Sequence, residues 1–110
     1  MFEMHIIQGQ NCPVLVCDMC GERLMEAAKS AVVFDNFASP GSKLKVLHVH
    51  KGQIEGKTCH QEADAIIKSG GGTPGWQEMK ACITDLAHNI GFPPHEMDQY
   101  NKTRGDSFSE

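Results

Sequence analysis

The chain has 110 residues, 40% of them hydrophobic, and a formal net charge of −4 at neutral pH. This length predicts one small domain with a modest core, and an acidic chain without a Lys/Arg run is a poor candidate for binding bulk nucleic acid. No apolar run is long enough to cross a membrane, and the first ten residues do not resemble a signal peptide, so a cytoplasmic protein is expected.

The first half of the chain is predicted to form short strands. Residues 4–7 (MHII) and 13–17 (PVLVC) are short apolar runs that suit strands. Residues 31–37 (AVVFDNF) and 43–50 (KLKVLHVH) flank a segment that contains Pro-Gly, which is typical of a turn. The sequence therefore predicts a β-hairpin over these two segments.

The second half is predicted to be helical. Thr58 has the position of a capping-box residue ahead of a helix over residues 59–68. Pro74 is placed to begin a second helix over residues 75–90, because proline is favoured at the first helical position. Its apolar stripe consists of Trp76, Met79, Ile83, Leu86, Ala87 and Ile90. The polar residues 100–110 predict a disordered tail.

The cysteines indicate a metal site. Five cysteines are an odd number for a disulfide framework, which favours reduced thiols or metal ligands. Cys17 and Cys20 are separated by two residues and followed by Gly21, a spacing that lets a tight turn direct both sulfur atoms at one ion. Cys59 lies at the predicted start of a helix, where the helix dipole stabilises a thiolate. These three cysteines are the predicted thiolate ligands.

Three histidines compete for the fourth position. His50 ends a predicted strand just where the chain turns toward Cys59, which makes it the preferred ligand. His48 lies on the same face of that strand, and His60 follows Cys59 on the helix, so both stay as alternative metal ligands. Lys51 is expected to offset the negative charge of a site with three thiolates.

The order of knuckle, hairpin and helix start over residues 17–68 resembles the treble-clef or zinc-ribbon-like class of small zinc domains. That resemblance implies Zn²⁺ held by two ligands from the knuckle and two from the region of the helix start. It departs from the usual pattern because His50 and Cys59 have eight residues between them. The chain also loosely resembles small uncharacterised bacterial, cyanobacterial or phage proteins, in CDMCG at 17–21 and in VHK at 49–51 followed by Cys59.

Two other functions have partial support. Cys12, Cys17, Cys20 and the distant Cys59 have the spacing of a plant-type [2Fe–2S] ferredoxin, although a β-branched run between Cys12 and Cys17 does not suit a cluster loop. An HNH-type metal-dependent nuclease is the other alternative, but His48 and His50 are not adjacent and no basic groove is predicted.

The sequence as a whole predicts a small α+β zinc-stabilised domain over residues 1–99, with its zinc core at 17–68. A closed site of Cys17, Cys20, His50 and Cys59 holds a fold and does no chemistry, so an interaction or regulatory module is expected rather than an enzyme. The expected partner is a protein, with nucleic acid as the alternative and no membrane. A homodimer through the helix at 75–90 is also predicted.

Overall fold

The computed structural model describes residues 1–52 and 56–108, and it confirms an α+β fold. The chain divides into two compact units, Met1–Lys80 and Ala81–Glu110. The strands are β1 (Phe2–Ile7), β2 (Gln10–Leu15), β3 (Ser30–Asp35), β4 (Leu47–His50) and β5 (Pro74–Glu78). The α-helices are α1 (Cys59–Ser69), α2 (Met79–Asn89) and α3 (Pro94–Phe108).

The first two strands form an antiparallel hairpin that leads into the knuckle. β1 and β2 pair from Phe2 opposite Leu15 to Ile7 opposite Gln10. The two connecting residues, Gln8 and Gly9, have φ values of 52° and 78°. Positive φ at both positions is the signature of a turn that matches the twist of a tight hairpin. The two predicted apolar strands are therefore confirmed, and together they deliver Cys17 just beyond the end of β2.

The second sheet has three antiparallel strands in the order β4-β3-β5. β3 is central, and its residues Ala31, Val32 and Val33 are almost fully buried, as expected for a β-branched strand paired on both edges. Val33 lies opposite Leu47, and Ser30 lies opposite His50. The predicted hairpin is thus confirmed, with a longer connection than expected because β4 begins only at Leu47.

Helix α1 covers one face of this sheet. Cys59, Ala63 and Ile67 lie four residues apart on the buried side of the helix, and they pack with Cys17, Ala31, Val33, Leu47 and Val49 in one core cluster. The helix begins at the predicted residue, but the capping-box prediction is wrong, since Thr58 makes no side-chain capping hydrogen bond. Of the loop predicted between His50 and Cys59, residues 53–55 lie outside the described part of the chain.

The predicted helix over 75–90 is wrong at its start. Residues Pro74–Glu78 form β5, which pairs with β3 and places Trp76 opposite Val33. The open edge of β3 supplies hydrogen-bonding partners that a local pattern does not reveal, and proline is tolerated at the first residue of an edge strand. Helix α2 therefore begins at Met79, and the match of Trp76 to the apolar stripe was a coincidence of spacing.

The chain beyond α2 also differs from the prediction. Residues 100–108, predicted to be part of a disordered tail, continue helix α3, which begins at Pro94. Pro94 occupies the first helical position, where its fixed φ suits a helix and its missing N–H is not needed. Within the second unit, the ring of Phe92 contacts the ring of Tyr100 edge-to-face, with centroids 6.1 Å apart. No helix in the described ranges has both the length and the apolarity needed to cross a bilayer.

Candidate metal centre

The knuckle is a tight turn held by backbone hydrogen bonds. Cys17 N–H donates to the Glu22 carbonyl at 2.8 Å, and Gly21 N–H donates to the Cys17 carbonyl at 3.0 Å. Gly21 has φ of 78°, a conformation that a residue with a Cβ rarely adopts. These bonds fold the chain back on itself, so that Cys17 and Cys20 belong to one turn. Cys17 is buried, whereas Cys20 is exposed.

His50 reaches the knuckle from the end of β4. The backbone joins the two segments directly, since Asp18 N–H donates to the His48 carbonyl at 2.8 Å. The Nδ1 atom of His50 lies 3.6 Å from the Sγ atom of Cys20. Cys59, as the first residue of α1, adds a second buried sulfur atom to the same region. Three segments that are distant in sequence therefore converge on one point.

The four ligand atoms of Cys17, Cys20, His50 and Cys59 all lie within 4.8 Å of one another. In a tetrahedral zinc site, Zn–S bonds of about 2.3 Å place two sulfur atoms about 3.8 Å apart. A small contraction around a metal ion would bring this group into that geometry. Three thiols and one imidazole are also a donor set that suits Zn²⁺ and does not suit Mg²⁺ or Ca²⁺. The residues therefore fit a bound zinc ion.

The pKa values of the two buried thiols, Cys17 and Cys59, are shifted in opposite directions. Burial by itself would raise the pKa of Cys17, but hydrogen bonds from the backbone N–H groups of Cys20, Met19 and His50 outweigh it, and the pKa is lowered. Burial, followed by the hydrogen bond and charge of Cys17, raises the pKa of Cys59 to about 12. Without a cation, Cys17 and Cys59 do not both carry a negative charge near neutral pH. A divalent ion removes that conflict, because a bound thiol is deprotonated.

The imidazole is held in the form that binds metal. Burial, and then the positive charge of Lys57, lower the pKa of His50, while the carboxylate of Glu22 acts in the opposite direction. The ring is therefore biased toward its neutral state near pH 7, and a neutral ring nitrogen is what a metal ion requires.

Lys57 lies where the site has excess negative charge. Its Nζ atom lies 3.6 Å from Cys20 Sγ and 2.7 Å from Glu22 Oε2. Three thiolates around Zn²⁺ would carry a net charge of −1, and the Lys57 ammonium, which is shared between Cys20 and Glu22, would offset part of it. The sequence assigned this role to Lys51, and that is wrong: Lys51 forms an ion pair with Glu78 and lies over the Trp76 ring. In the sequence, the role of Lys57 is indicated only by its position two residues before Cys59.

The other two histidines have different partners. Asp18 Oδ2 accepts a hydrogen bond from the backbone N–H of His48 at 2.7 Å and lies 3.1 Å from His48 Nδ1. His60 Nδ1 accepts a hydrogen bond from Gly52 N–H at 3.2 Å, and its ring contacts Trp76 edge-to-face. Neither histidine belongs to the four-residue cluster that the described residues form.

The two remaining cysteines are not members of the cluster that the described residues form. Cys12 is half-buried in β2 opposite His5, and Cys82 is half-buried in α2. The fourth member of the cluster is His50, whereas the ferredoxin alternative requires the thiolate of Cys12 in that place.

The fold and the cluster together define a small α+β protein with a Cys3His group able to bind a metal ion. No protein-family model, curated protein or solved structure matches the chain.

Proposed function

We propose that this chain is a small zinc-binding module whose metal is structural. The convergence of four ligand atoms within 4.8 Å, from a knuckle, a strand end and a helix start, carries the proposal. Cys17 and Cys59 are 1% and 2% exposed and belong to the core cluster, so a bound ion would join the knuckle to α1 from inside the fold. Four protein ligands leave no coordination position for a substrate or a water molecule.

The role that follows is binding rather than catalysis. A closed site supports a fold, and the surface of the fold is then available for a partner, which we propose to be a protein. The cytoplasmic setting, a nucleic-acid partner and a homodimer through residues 75–90 stay predictions. For the homodimer, the exposed apolar residues of that stretch are Trp76, Ile83, Leu86 and Ile90.

Metal analysis of the purified protein tests the zinc assignment. We expect one zinc per chain and no visible colour after purification without added metal, because Zn²⁺ has a filled d shell. Replacement by Co²⁺ should give the intense visible absorption of a tetrahedral thiolate site. A protein that binds no metal under reducing conditions, or one whose iron and sulfide absorb in the visible range, would contradict the proposal.

The unequal exposure of the ligands predicts an order of modification. In the zinc-loaded protein, N-ethylmaleimide should label Cys20 several-fold faster than Cys17 or Cys59, because only Cys20 is exposed. Peptide mass spectrometry over time measures this order, in a Cys12→Ser, Cys82→Ser background that removes the other thiols. After chelation of the metal, the three rates should converge. Initial labelling of Cys17 or Cys59 in the loaded protein would contradict the closed site.

A further inference from the structure

A groove on the first unit combines an apolar floor with a cationic rim. It has a volume of about 330 Å³ and lies between the connection that follows β3 and the last turns of α1. Leu44, Ile66 and Ile67 supply its aliphatic surface, and Leu44 and Ile66 are 43% and 41% exposed. This volume is at the lower end of ligand clefts, which suits one or two side chains of a peptide.

Lys43 and Lys45 give the rim of the groove its positive charge. Lys43 and Lys45, on either side of Leu44 in sequence, line the groove and are exposed. Within residues 1–52 and 56–104, neither lysine makes an ion pair. Three other lysines do have carboxylate partners: Lys29 pairs with Glu26, Lys51 with Glu78 and Lys57 with Glu22. The rim lysines therefore give this groove a local positive charge in a chain whose formal net charge is −4.

The groove also contains one carboxylate, Asp35, which offsets part of the charge of Lys43 and Lys45 and leaves the lining with an excess of positive charge. Asp35 lines the groove, and its Oδ1 atom accepts hydrogen bonds from the backbone N–H groups of Phe37 at 3.3 Å and Thr73 at 3.2 Å. Asp35 is thereby held between the loop that follows β3 and the connection that precedes β5, and among the residues that the structure describes it makes no ion pair with either rim lysine. In the last turn of α1 the Ile67 carbonyl already has a hydrogen-bonding partner, because it accepts a hydrogen bond from Gly72 N–H at 3.0 Å.

We propose that this groove binds a peptide segment of a partner protein in which an aliphatic side chain is flanked by Asp or Glu residues. The aliphatic side chain packs against Leu44, Ile66 and Ile67, and the flanking carboxylates pair with Lys43 and Lys45. Charge complementarity decides the class of partner, because apolar burial alone would not select an acidic segment. This inference rests on the proposed interaction role, but it does not depend on which ion the Cys3His cluster holds.

Fluorescence anisotropy with a labelled Glu-Glu-Leu-Leu-Glu-Glu peptide tests the groove on the full chain. We expect saturable binding that weakens as salt is raised, because the rim lysines are exposed. The Lys43→Glu, Lys45→Glu double variant should bind about ten-fold more weakly. The matched control is Lys29→Glu with Lys102→Glu, which changes the net charge equally at other positions and should bind as the parent does.

Three further measurements decide the outcome. A Glu-Glu-Gly-Gly-Glu-Glu peptide should bind more weakly than the leucine peptide, and Leu44→Ala should reduce this difference. No saturable binding, or equal loss in the two double variants, would overturn the proposal, since equal loss means attraction to net charge alone. Self-association in sedimentation that Leu44→Asp abolishes would assign the groove to a second copy and also overturn it. Metal content, measured on each variant, shows separately whether the zinc proposal holds.

Discussion

Substitution of Cys59 by serine is expected to abolish the stable fold of the first unit. Cys59 is 2% exposed and belongs both to the four-atom cluster and to the core packed between α1 and β3. Structural zinc contributes an apparent free energy on the order of 10 kcal/mol, which is comparable with the whole stability of a typical domain. The core of this unit consists mainly of valine, alanine and cysteine side chains, and we do not expect it to replace that contribution.

Thermal unfolding followed by circular dichroism measures this effect. The parent protein should melt cooperatively with zinc and lose that transition when a strong chelator is added. Cys59→Ser should resemble the chelated parent and should not respond to added zinc. Cys12→Ser is the matched control, because Cys12 is a half-buried cysteine of the same unit outside the cluster. Equal melting of Cys59→Ser and the parent, or a parent indifferent to chelation, would refute the structural role of the metal.

Substitution of the three histidines in turn is expected to separate the ligand from its neighbours. His50→Ala should weaken zinc binding by more than 100-fold, because loss of a residue that only supports a ligand costs about 10- to 100-fold. His48→Ala removes the contact with Asp18, and His60→Ala removes the contacts with Gly52 and Trp76, so both should have smaller effects. Competition with a chromophoric chelator measures the three affinities.

A rescue variant makes this experiment specific. His50→Cys should recover most of the lost affinity, because four thiolates also form a tetrahedral zinc site. Loss of fold alone would not be rescued by a change of ligand atom. If His60→Ala instead caused the greatest loss, the ligand pair would lie wholly on the helix, and the assignment of His50 would be wrong.

Local sequence patterns were sufficient to predict much of the secondary structure of the first unit. The knuckle could be predicted because two residues between thiols and a following glycine determine a turn within five positions. β3 and β4 could be predicted from β-branched residues and alternation. The start of α1 could be predicted from the residue types at Thr58 and beyond, although the Thr58 side chain makes no capping hydrogen bond. Pro94 is also a local signal for the start of α3, because proline is favoured at the first helical position.

The tertiary structure decided the features that depend on distant segments. The strand at residues 74–78 exists because the edge of β3 accepts it, and nothing in the sequence near Trp76 reports that edge. His48 is not a member of the cluster, and its side chain contacts Asp18, thirty positions away in the sequence. Lys57 lies beside Cys20 because α1, which begins two residues later, packs onto the sheet. The sequence by itself determined which ligand types are present and where their turns and helix begin, because those are short-range properties of the backbone. Only the pairing of strands and helix decided which ligand atoms meet within 4.8 Å, because that distance depends on contacts between segments far apart in the chain.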